Sequence, residues 1–290
     1  MNGLYVASIT PFKQDGSFNP NSLEMLTKRH LSQGAAGFFA GGSSGECFLL
    51  SESERIAVFE TACAFKNETN IIAHVGAIST EESIRYDKAA KSFGAQFISA
   101  TPPFYYGFSS TQIAQYFYDI SAAVDMPIMV YNFPTNTGKS FDLSHPNIRS
   151  LFCSDAVWGI KHTNLDLFQF ERIRALNPKL IMLNGYDETM SAGLALGADG
   201  SVGSSFNVLL PHFIQIYDAC KAGDKEKAME LQTKANNIME TMYSVGLVAA
   251  LKYILVSQGI NAGEPRKPFS PLTQEQKKLV DDVLACNFVS

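Results

Sequence analysis

The sequence has few charged residues and no closely spaced pair of cysteines. Charged residues make up 18% of the 290 positions, and hydrophobic residues make up 46%. Cysteines stand at positions 47, 63, 153, 220 and 286, an odd number without a CxxC pair. A disulfide framework and a cysteine-ligated zinc site are therefore unsupported, and free thiols in a reducing compartment are expected.

Sequence signals for membranes and nucleic acids are also missing. No apolar stretch approaches the roughly 18 residues of a spanning helix. The opening residues, MNGLYVASITPF, lack the cationic and apolar regions of a signal peptide. The formal net charge is -5, with no long basic run, so neither nucleic acid nor an anionic membrane is an expected partner. A cytoplasmic location is the resulting expectation.

Short β-rich runs alternate with longer helical patterns along most of the chain. Several runs, such as IIAHV and PIMVY, are almost continuously apolar, which is typical of strands covered on both faces. The predicted strands are Leu4–Thr10, Gly37–Gly41, Ile71–Gly76, Gln96–Thr101, Ile128–Tyr131, Val157–Lys161, Leu180–Asn184 and Gly200–Gly203.

The intervening segments carry helix start and stop signals. Asn21-Ser22 is predicted to open the first helix, and the second and third begin where a serine precedes a glutamate by three positions, at Ser51 and Ser79. Glycines 34, 94 and 197 fall where helices are expected to end.

About eight strand–helix units predict an α/β fold, a closed (β/α)8 TIM barrel, over residues 1–222. An open doubly wound sheet is the alternative, but no GxGxxG turn follows the first strand. Residues 223–290 are predicted as a C-terminal extension of three helices on the barrel, at Asp224–Met242, Tyr243–Gln258 and Thr273–Asn287.

Unusual polar residues follow the predicted strands, at the end where such barrels hold their active sites. Lys161 ends the run AVWGIK, where partial burial would lower the pKa of its amine and favour imine formation with a ketone. A lysine that extends to solvent from the strand end is the alternative.

Three neighbouring groups favour the catalytic interpretation of the lysine. The loop GGSSGE can surround a small anion, although it is also an ordinary tight turn. Tyr131 can relay a proton or make one structural hydrogen bond. Asp187 and Glu188 can bind a polyol or cap a helix. His74 and His162 are interpreted as structural, and neither HExxH nor GxSxG is present.

The motifs together resemble the N-acetylneuraminate lyase and dihydrodipicolinate synthase superfamily of class I aldolases. The resemblance runs nearly end to end, through ITPF, GGSSGE, IAHVG, TPPFYYGFS, YNFP, GIKHTN, NGYDE, GADGSVGSSFN and RKPFSP. Asn136 stands where the dihydrodipicolinate synthases have an arginine, so the chain is more similar to the lyase branch. Ser44, Phe133 and Asn164 depart from the usual lyase residues and leave the preferred sugar acid open.

The resemblance implies a function and a role for each site residue. Lys161 would form a Schiff base and Tyr131 would relay the proton, with no metal or organic cofactor. Ser43 and Ser44 would bind the carboxylate of a sialic acid. The remaining contacts to the sugar chain would come from Thr163, Gly185, Asp187, Glu188 and Ser204. Members are commonly homotetramers, in which Tyr105 or Tyr106 could reach a neighbouring site.

Two other functions fit the same residues. One is a related aldolase or dehydratase acting on another 2-keto-3-deoxy sugar acid, which would share Lys161 and Tyr131. The other is a catalytically silent barrel that binds a sugar acid. Pyruvate release from a panel of keto acids separates all three.

Overall fold

The computed structural model describes residues 1–287 and contains a closed barrel of eight parallel strands in chain order. The strands are β1 Gly3–Ala7, β2 Gly37–Ala40, β3 Asn70–His74, β4 Phe97–Ala100, β5 Ile128–Asn132, β6 Val157–His162, β7 Ile181–Asn184 and β8 Gly200–Gly203. β8 pairs with β1 and closes the barrel, so the prediction of a (β/α)8 barrel is confirmed.

Twelve α-helices surround and extend the barrel within the described part of the chain. They are α1 Pro20–Ser32, α2 Glu52–Cys63, α3 Thr80–Phe93, α4 Ser110–Val124, α5 Pro134–Thr137, α6 Pro146–Cys153, α7 Leu167–Leu176, α8 Met190–Ala195, α9 Phe206–Ala222, α10 Lys225–Val245, α11 Leu247–Ser257 and α12 Gln274–Asn287.

Several predicted strands were too long at their C-terminal ends. The first was predicted to reach Thr10 but ends at Ala7. Beyond it, the Ile9 amide donates to the Asn207 side chain at 3.3 Å, and Thr10 Oγ1 donates to Gly45 O at 2.7 Å. These buried residues are apolar or β-branched, but they bond to the first turn of α9 and to a 3-10 turn after β2 instead of a neighbouring strand.

Helix caps follow the local sequence closely. Ser51 and Glu54 form the expected reciprocal capping box at α2, and Ser79 accepts from the Glu82 amide at α3. The prediction for α1 was wrong by two residues, because Asn19 caps a helix that starts at Pro20, a residue suited to the first turn.

Side chains alternate between two cores across the barrel wall. Met129, Tyr131 and Leu183 belong to the core inside the barrel, whereas Val130 and Ile160 face the helices. This period of two places the side chain of Lys161 inside the barrel and that of its neighbour His162 outside.

The C-terminal helices are divided differently from the prediction. α10 continues to Val245 and α11 begins at Leu247, because Gly246, with φ of 102° and ψ of 104°, breaks the helix. The expected boundary after Met242 was therefore wrong, and Tyr243 lies in the last turn of α10. α10 packs on α9 and α12. The last three residues of the predicted extension, 288–290, lie outside the described residues.

The length and apolarity of the helices were also compared with those of a membrane span. Among residues 1–287 no single helix meets both requirements. α10 and α11 meet them only together, and their axes are bent by 113°.

Asp87 on α3 is a buried carboxyl group that makes stability depend on pH. Neither carboxyl oxygen has a hydrogen-bond partner among residues 1–287, and burial raises the pKa of the group to about 7. The folded state therefore retains a proton that the unfolded chain releases near its ordinary pKa. Stability should fall as pH rises between these two values. We expect Asp87→Asn to stabilise the protein by about 1–3 kcal/mol at pH 8.

Denaturant unfolding of both proteins at pH 4 and pH 8 checks this prediction. The stabilisation should be mostly lost at pH 4, where the wild-type carboxyl group is protonated in the folded state and about half protonated in the unfolded chain. An equal effect at the two pH values would contradict the proposed titration.

Candidate active site

A cavity of about 420 Å³ opens at the carboxyl ends of the barrel strands. This volume lies within the range of small-molecule sites. Its strand-end and loop residues include Ser43, Ser44, Tyr131, Phe133, Asn136, Lys161, Thr163, Gly185, Tyr186, Asp187 and Ser204. A larger groove of about 550 Å³ beside α7 contains none of them. The structure thus brings together eight of the nine predicted site residues.

Lys161 lies in the barrel interior near the floor of this cavity. Its residue is 4% exposed, and Nζ lies 4.0 Å from the ring centroid of Tyr131 and 4.4 Å from that of Phe39. No carboxylate of residues 1–287 lies within 4.0 Å of the amine. Burial lowers the pKa of Lys161 to about 7, partly offset by the charge of Asp187. A substantial neutral fraction is therefore available as a nucleophile at neutral pH.

Tyr131 is the cross-strand neighbour of Lys161 in the β5–β6 ladder. Burial raises the pKa of its phenol, while the hydroxyls of Ser43 and Thr163 lie beside it and partly oppose that effect. Thr163 Oγ1 is buried without a partner in hydrogen-bonding geometry among the described residues. The phenol therefore remains protonated and can pass a proton along a short path of hydroxyl groups.

The GGSSGE loop forms a tight turn at the end of β2. Gly41 has φ of +66°, and a Cβ there would lie 2.7 Å from the Phe59 ring, so glycine suits both the backbone and the packing. A 3-10 turn follows at Ser43–Gly45, and Ser44 Oγ lies 2.6 Å from Ser204 Oγ. Hydroxyls and successive backbone amides around one cavity edge can bind a small anion.

Glu46, for which the sequence suggested no role, anchors this loop to the C-terminal part of the chain. It is buried with φ of 58°, and its Oε1 lies 2.7 Å from Nζ of Lys252 on α11. Oε2 accepts from the Arg266 amide at 2.6 Å. Arg266 in turn pairs with Glu54 through two bonds of 2.6 and 2.8 Å. No local sequence pattern marks these partners, because they lie more than 200 positions apart.

Asp187 lines the cavity beside the start of α9. Its Oδ2 accepts from both the amide and the hydroxyl of Ser205, at 2.7 and 2.5 Å, and so caps the start of α9 instead of its own helix. Oδ1 is buried without a partner among residues 1–287. Burial raises the pKa of this carboxyl group to about 7. One oxygen is therefore structural, and the other is free to accept a hydrogen bond from a ligand.

Glu188 is the one predicted site residue that the cavity wall does not include. Its carboxylate accepts from the Tyr243 hydroxyl at 3.3 Å. The C-terminal part of the chain contributes wall residues that the sequence reasoning missed, because no motif links them to the strand ends. These are Tyr243, the 245–249 segment, Phe269, Ser270, Pro271 and Gln276.

The two histidines beside the site have structural partners, as expected. His74 Nε2 accepts from the Thr101 amide at 3.3 Å, and its Nδ1 lies 3.1 Å from both Gly41 O and the Arg55 guanidinium. His162 lies 3.1 Å from both the Asn132 side chain and Asp166 O. Within residues 1–287, no three His, Cys, Asp or Glu side chains lie together as a metal site would require.

Gly185 provides space for Thr163 at the cavity wall. A Cβ at Gly185 would lie 1.9 Å from Thr163 Oγ1 and 3.0 Å from the Thr163 amide nitrogen, so rotation of the side chain alone cannot relieve the crowding. We expect Gly185→Ala to reduce kcat/KM by about 10- to 100-fold by misplacing Thr163. Gly107→Ala is the matched control, because no atom lies within 4 Å of its added methyl group. Equal activities of the two variants would contradict the assigned spacing.

The chain was compared with known proteins. Residues 1–286 match the sequence model of the Dihydrodipicolinate synthetase family. N-acetylneuraminate lyase 2 of Escherichia coli O6:H1 is 38% identical, over 94% of this chain and 90% of that protein. CdNal from Clostridium difficile, in a crystal structure with mannosamine, is 32% identical with a TM-score of 0.95 over 99% of each chain.

A further solved structure similar to this chain is that of a relative whose catalytic lysine was mutated. The Ruminococcus gnavus sialic acid aldolase, in a structure of its catalytic lysine mutant, is 26% identical with a TM-score of 0.93, covering 99% of this chain and 95% of that one. Fold, site geometry and near full-length similarity lead to one assignment: the chain belongs to the Dihydrodipicolinate synthetase family.

Proposed function

We propose that the chain has N-acetylneuraminate lyase activity and reversibly cleaves N-acetylneuraminate into N-acetylmannosamine and pyruvate by a Schiff-base mechanism. The observation that carries the proposal is the buried amine of Lys161, held against Tyr131 in a cavity with a Gly/Ser loop at one edge. The lyase and aldolase names of its relatives support the same reaction class. The chain is accordingly a lyase.

Lys161 begins the reaction by attacking the C2 ketone of the open-chain sugar acid. Loss of water gives an iminium ion, which can accept the electron pair of the C3–C4 bond. Low exposure of the lysine favours the neutral amine that attacks, and the positively charged iminium lies over the electron-rich faces of Phe39 and Tyr131.

Tyr131 moves the proton that allows the C3–C4 bond to break. The phenol accepts the proton of the C4 hydroxyl while passing its own to the substrate carboxylate at Ser43 and Ser44. N-acetylmannosamine leaves, and the carboxyl group returns its proton through Tyr131 to C3 of the remaining enamine. Addition of water then releases pyruvate and restores the amine. The scheme uses only these side chains, the carboxylate of the substrate and water.

The other predicted residues account for binding of the sugar chain. Thr163, Gly185 and Ser204 line the cavity on the side of Asp187, whose free Oδ1 can accept from a hydroxyl group. Glu188 contributes indirectly, because it accepts a hydrogen bond from Tyr243, and Tyr243 lines the cavity. A polyol tail suits this side because its hydroxyls can satisfy buried carboxylate oxygens.

Incubation with N-acetylneuraminate followed by a pyruvate assay tests the reaction. Borohydride reduction of the imine formed with pyruvate should leave a 1-carboxyethyl group on the Lys161 amine, identified by peptide mass spectrometry. A panel of other 2-keto-3-deoxy acids sets the preference among substrates. Tight binding without pyruvate release from any of them would instead indicate a silent binding barrel.

We also propose a homotetramer and a cytoplasmic location. Tyr105 and Tyr106 are 83% and 59% exposed and pack edge to face after β4, as a pair that a second copy could cover. All five cysteines are free thiols, which suits a reducing compartment. The division into a barrel over 1–222 and an extension over 223–290 is likewise proposed. Light scattering together with activity at several dilutions tests the assembly.

A further inference from the structure

One face of α10 fixes the turn that carries Asp187 and Glu188. Gln232 Nε2 donates to Asp187 O at 3.0 Å, and Asn236 Nδ2 donates to Glu188 O at 3.2 Å. Tyr243 lies seven residues beyond Asn236, a spacing that keeps all three side chains on one side of the helix. α10 therefore positions the acidic turn as well as covering the barrel.

Tyr243 is the member of this face that also reaches the catalytic cavity. Its residue is 46% exposed and lines the cavity beside the α10–α11 junction. Its hydroxyl donates to Glu188 Oε2 at 3.3 Å. The break at Gly246 ends α10 just beyond this turn, so the phenol ring stays at the cavity edge. A ligand long enough to extend from Lys161 toward Asp187 would meet this ring.

The bond between Tyr243 and Glu188 has an electrostatic consequence for a bound polyol. Burial raises the pKa of Glu188, and the phenol hydrogen bond favours the ionised carboxylate. Burial, reinforced by nearby negative charge on Asp187 and Glu188, raises the pKa of Tyr243, so the phenol stays protonated and donates. The second oxygen of Glu188 is not engaged by this bond, and a ligand chain that extends past Tyr243, beyond the cavity wall, can donate to it.

We propose that Tyr243 is a specificity-determining residue that selects an aldehyde with a long polyhydroxylated chain over a short one. It holds the Glu188 carboxylate in place and forms the wall where the distal hydroxyls of the chain would lie. A short aldehyde reaches Lys161 but not this wall. The inference rests on the proposed function, because it assumes that the aldehyde binds on the Asp187 side of the Schiff base.

The test uses Tyr243→Phe in the full-length protein, assayed in the condensation direction with pyruvate. Phenylalanine keeps the ring and removes the bond to Glu188. We expect kcat/KM for N-acetylmannosamine to fall about 5- to 50-fold, mainly through KM, because a hydrogen bond to a charged group is lost. With glyceraldehyde the change should stay within about twofold, and borohydride trapping with pyruvate should be unchanged.

Tyr253→Phe is the matched control. Its hydroxyl also donates to a carboxylate, Asp281 Oδ2 at 2.8 Å, but Tyr253 does not line the catalytic cavity. This variant should leave both aldehydes unaffected. A binding titration of N-acetylmannosamine to the pyruvate-loaded, borohydride-reduced enzyme supplies a second readout for Tyr243→Phe, and weaker binding is expected there as well.

The possible outcomes distinguish a failure of the role proposed for Tyr243 from a failure of the proposed lyase function. An equal loss with both aldehydes would show that Tyr243 only supports the fold, and an unchanged preference would show that it does not sense chain length. Either result overturns the inference while trapping by pyruvate stays intact. Failure of the wild-type protein to be trapped by pyruvate would overturn the proposed function, and this inference with it.

Discussion

Replacing Lys161 with methionine should reduce kcat by at least about 10⁴-fold, because no other amine of residues 1–287 lines the cavity and could form the imine. Methionine fills a similar volume, and the Asp187 carboxyl group keeps its two bonds to Ser205 when the amine is removed. The variant should therefore fold and still bind the substrate. Its residual activity is measured by pyruvate release.

The same experiment includes a control and a pH profile. Lys179→Met removes an exposed lysine that precedes β7, at the opposite end of the barrel, and should leave kcat unchanged. In the wild-type protein, the rate of borohydride trapping should rise as pH increases through about 7, where Lys161 loses its proton. Wild-type rates in Lys161→Met would eliminate the Schiff-base mechanism.

Replacing Lys252 with methionine should destabilise the protein by about 3–5 kcal/mol. Lys252 and Glu46 are 1% and 0% exposed at their side chains, and the variant leaves the Glu46 carboxylate buried without its cation. Because Glu46 belongs to the GGSSGE loop, the anion site should loosen as well, and KM for pyruvate should rise. Urea unfolding and condensation kinetics measure the two effects.

Two further variants establish the origin of the Lys252 effect. Adding Glu46→Gln to Lys252→Met removes the unpaired charge and should recover part of the lost stability. Lys278→Met breaks an exposed pair with Asp282 and should cost less than about 1 kcal/mol. A cost for Lys252→Met no larger than that for Lys278→Met would contradict the role assigned to the buried pair.

The strand order and most elements could be predicted because apolar runs and caps are local signals. Strand ends could not, since residues such as Ile9 and Thr10 are as buried and β-prone as true strand residues. Their pairing is decided by the partners Asn207 and Gly45, which are distant in sequence. The α10–α11 boundary was missed because the break depends on the backbone of Gly246.

The reacting groups were predictable for a geometric reason. Every parallel strand of a barrel ends on the same side, so Lys161 and Tyr131 could be placed together from their positions at strand ends. The positions of Tyr243 and Phe269 could not be predicted in this way, because these residues belong to a helix and a connecting segment that pack over the end of the barrel. Glu188 was expected in the cavity, but its position depends on Tyr243, a partner in another helix.

The pairing of Tyr131 with Lys161 across the β5–β6 ladder has an evolutionary consequence. Their spacing is set by backbone pairing in a sheet without a free edge, where one strand cannot slide alone. Insertions and substitutions in the surrounding loops leave that spacing intact. Descendants of this protein can therefore acquire new substrates through changes in the loops around the cavity, while Lys161 and Tyr131 keep their relative positions.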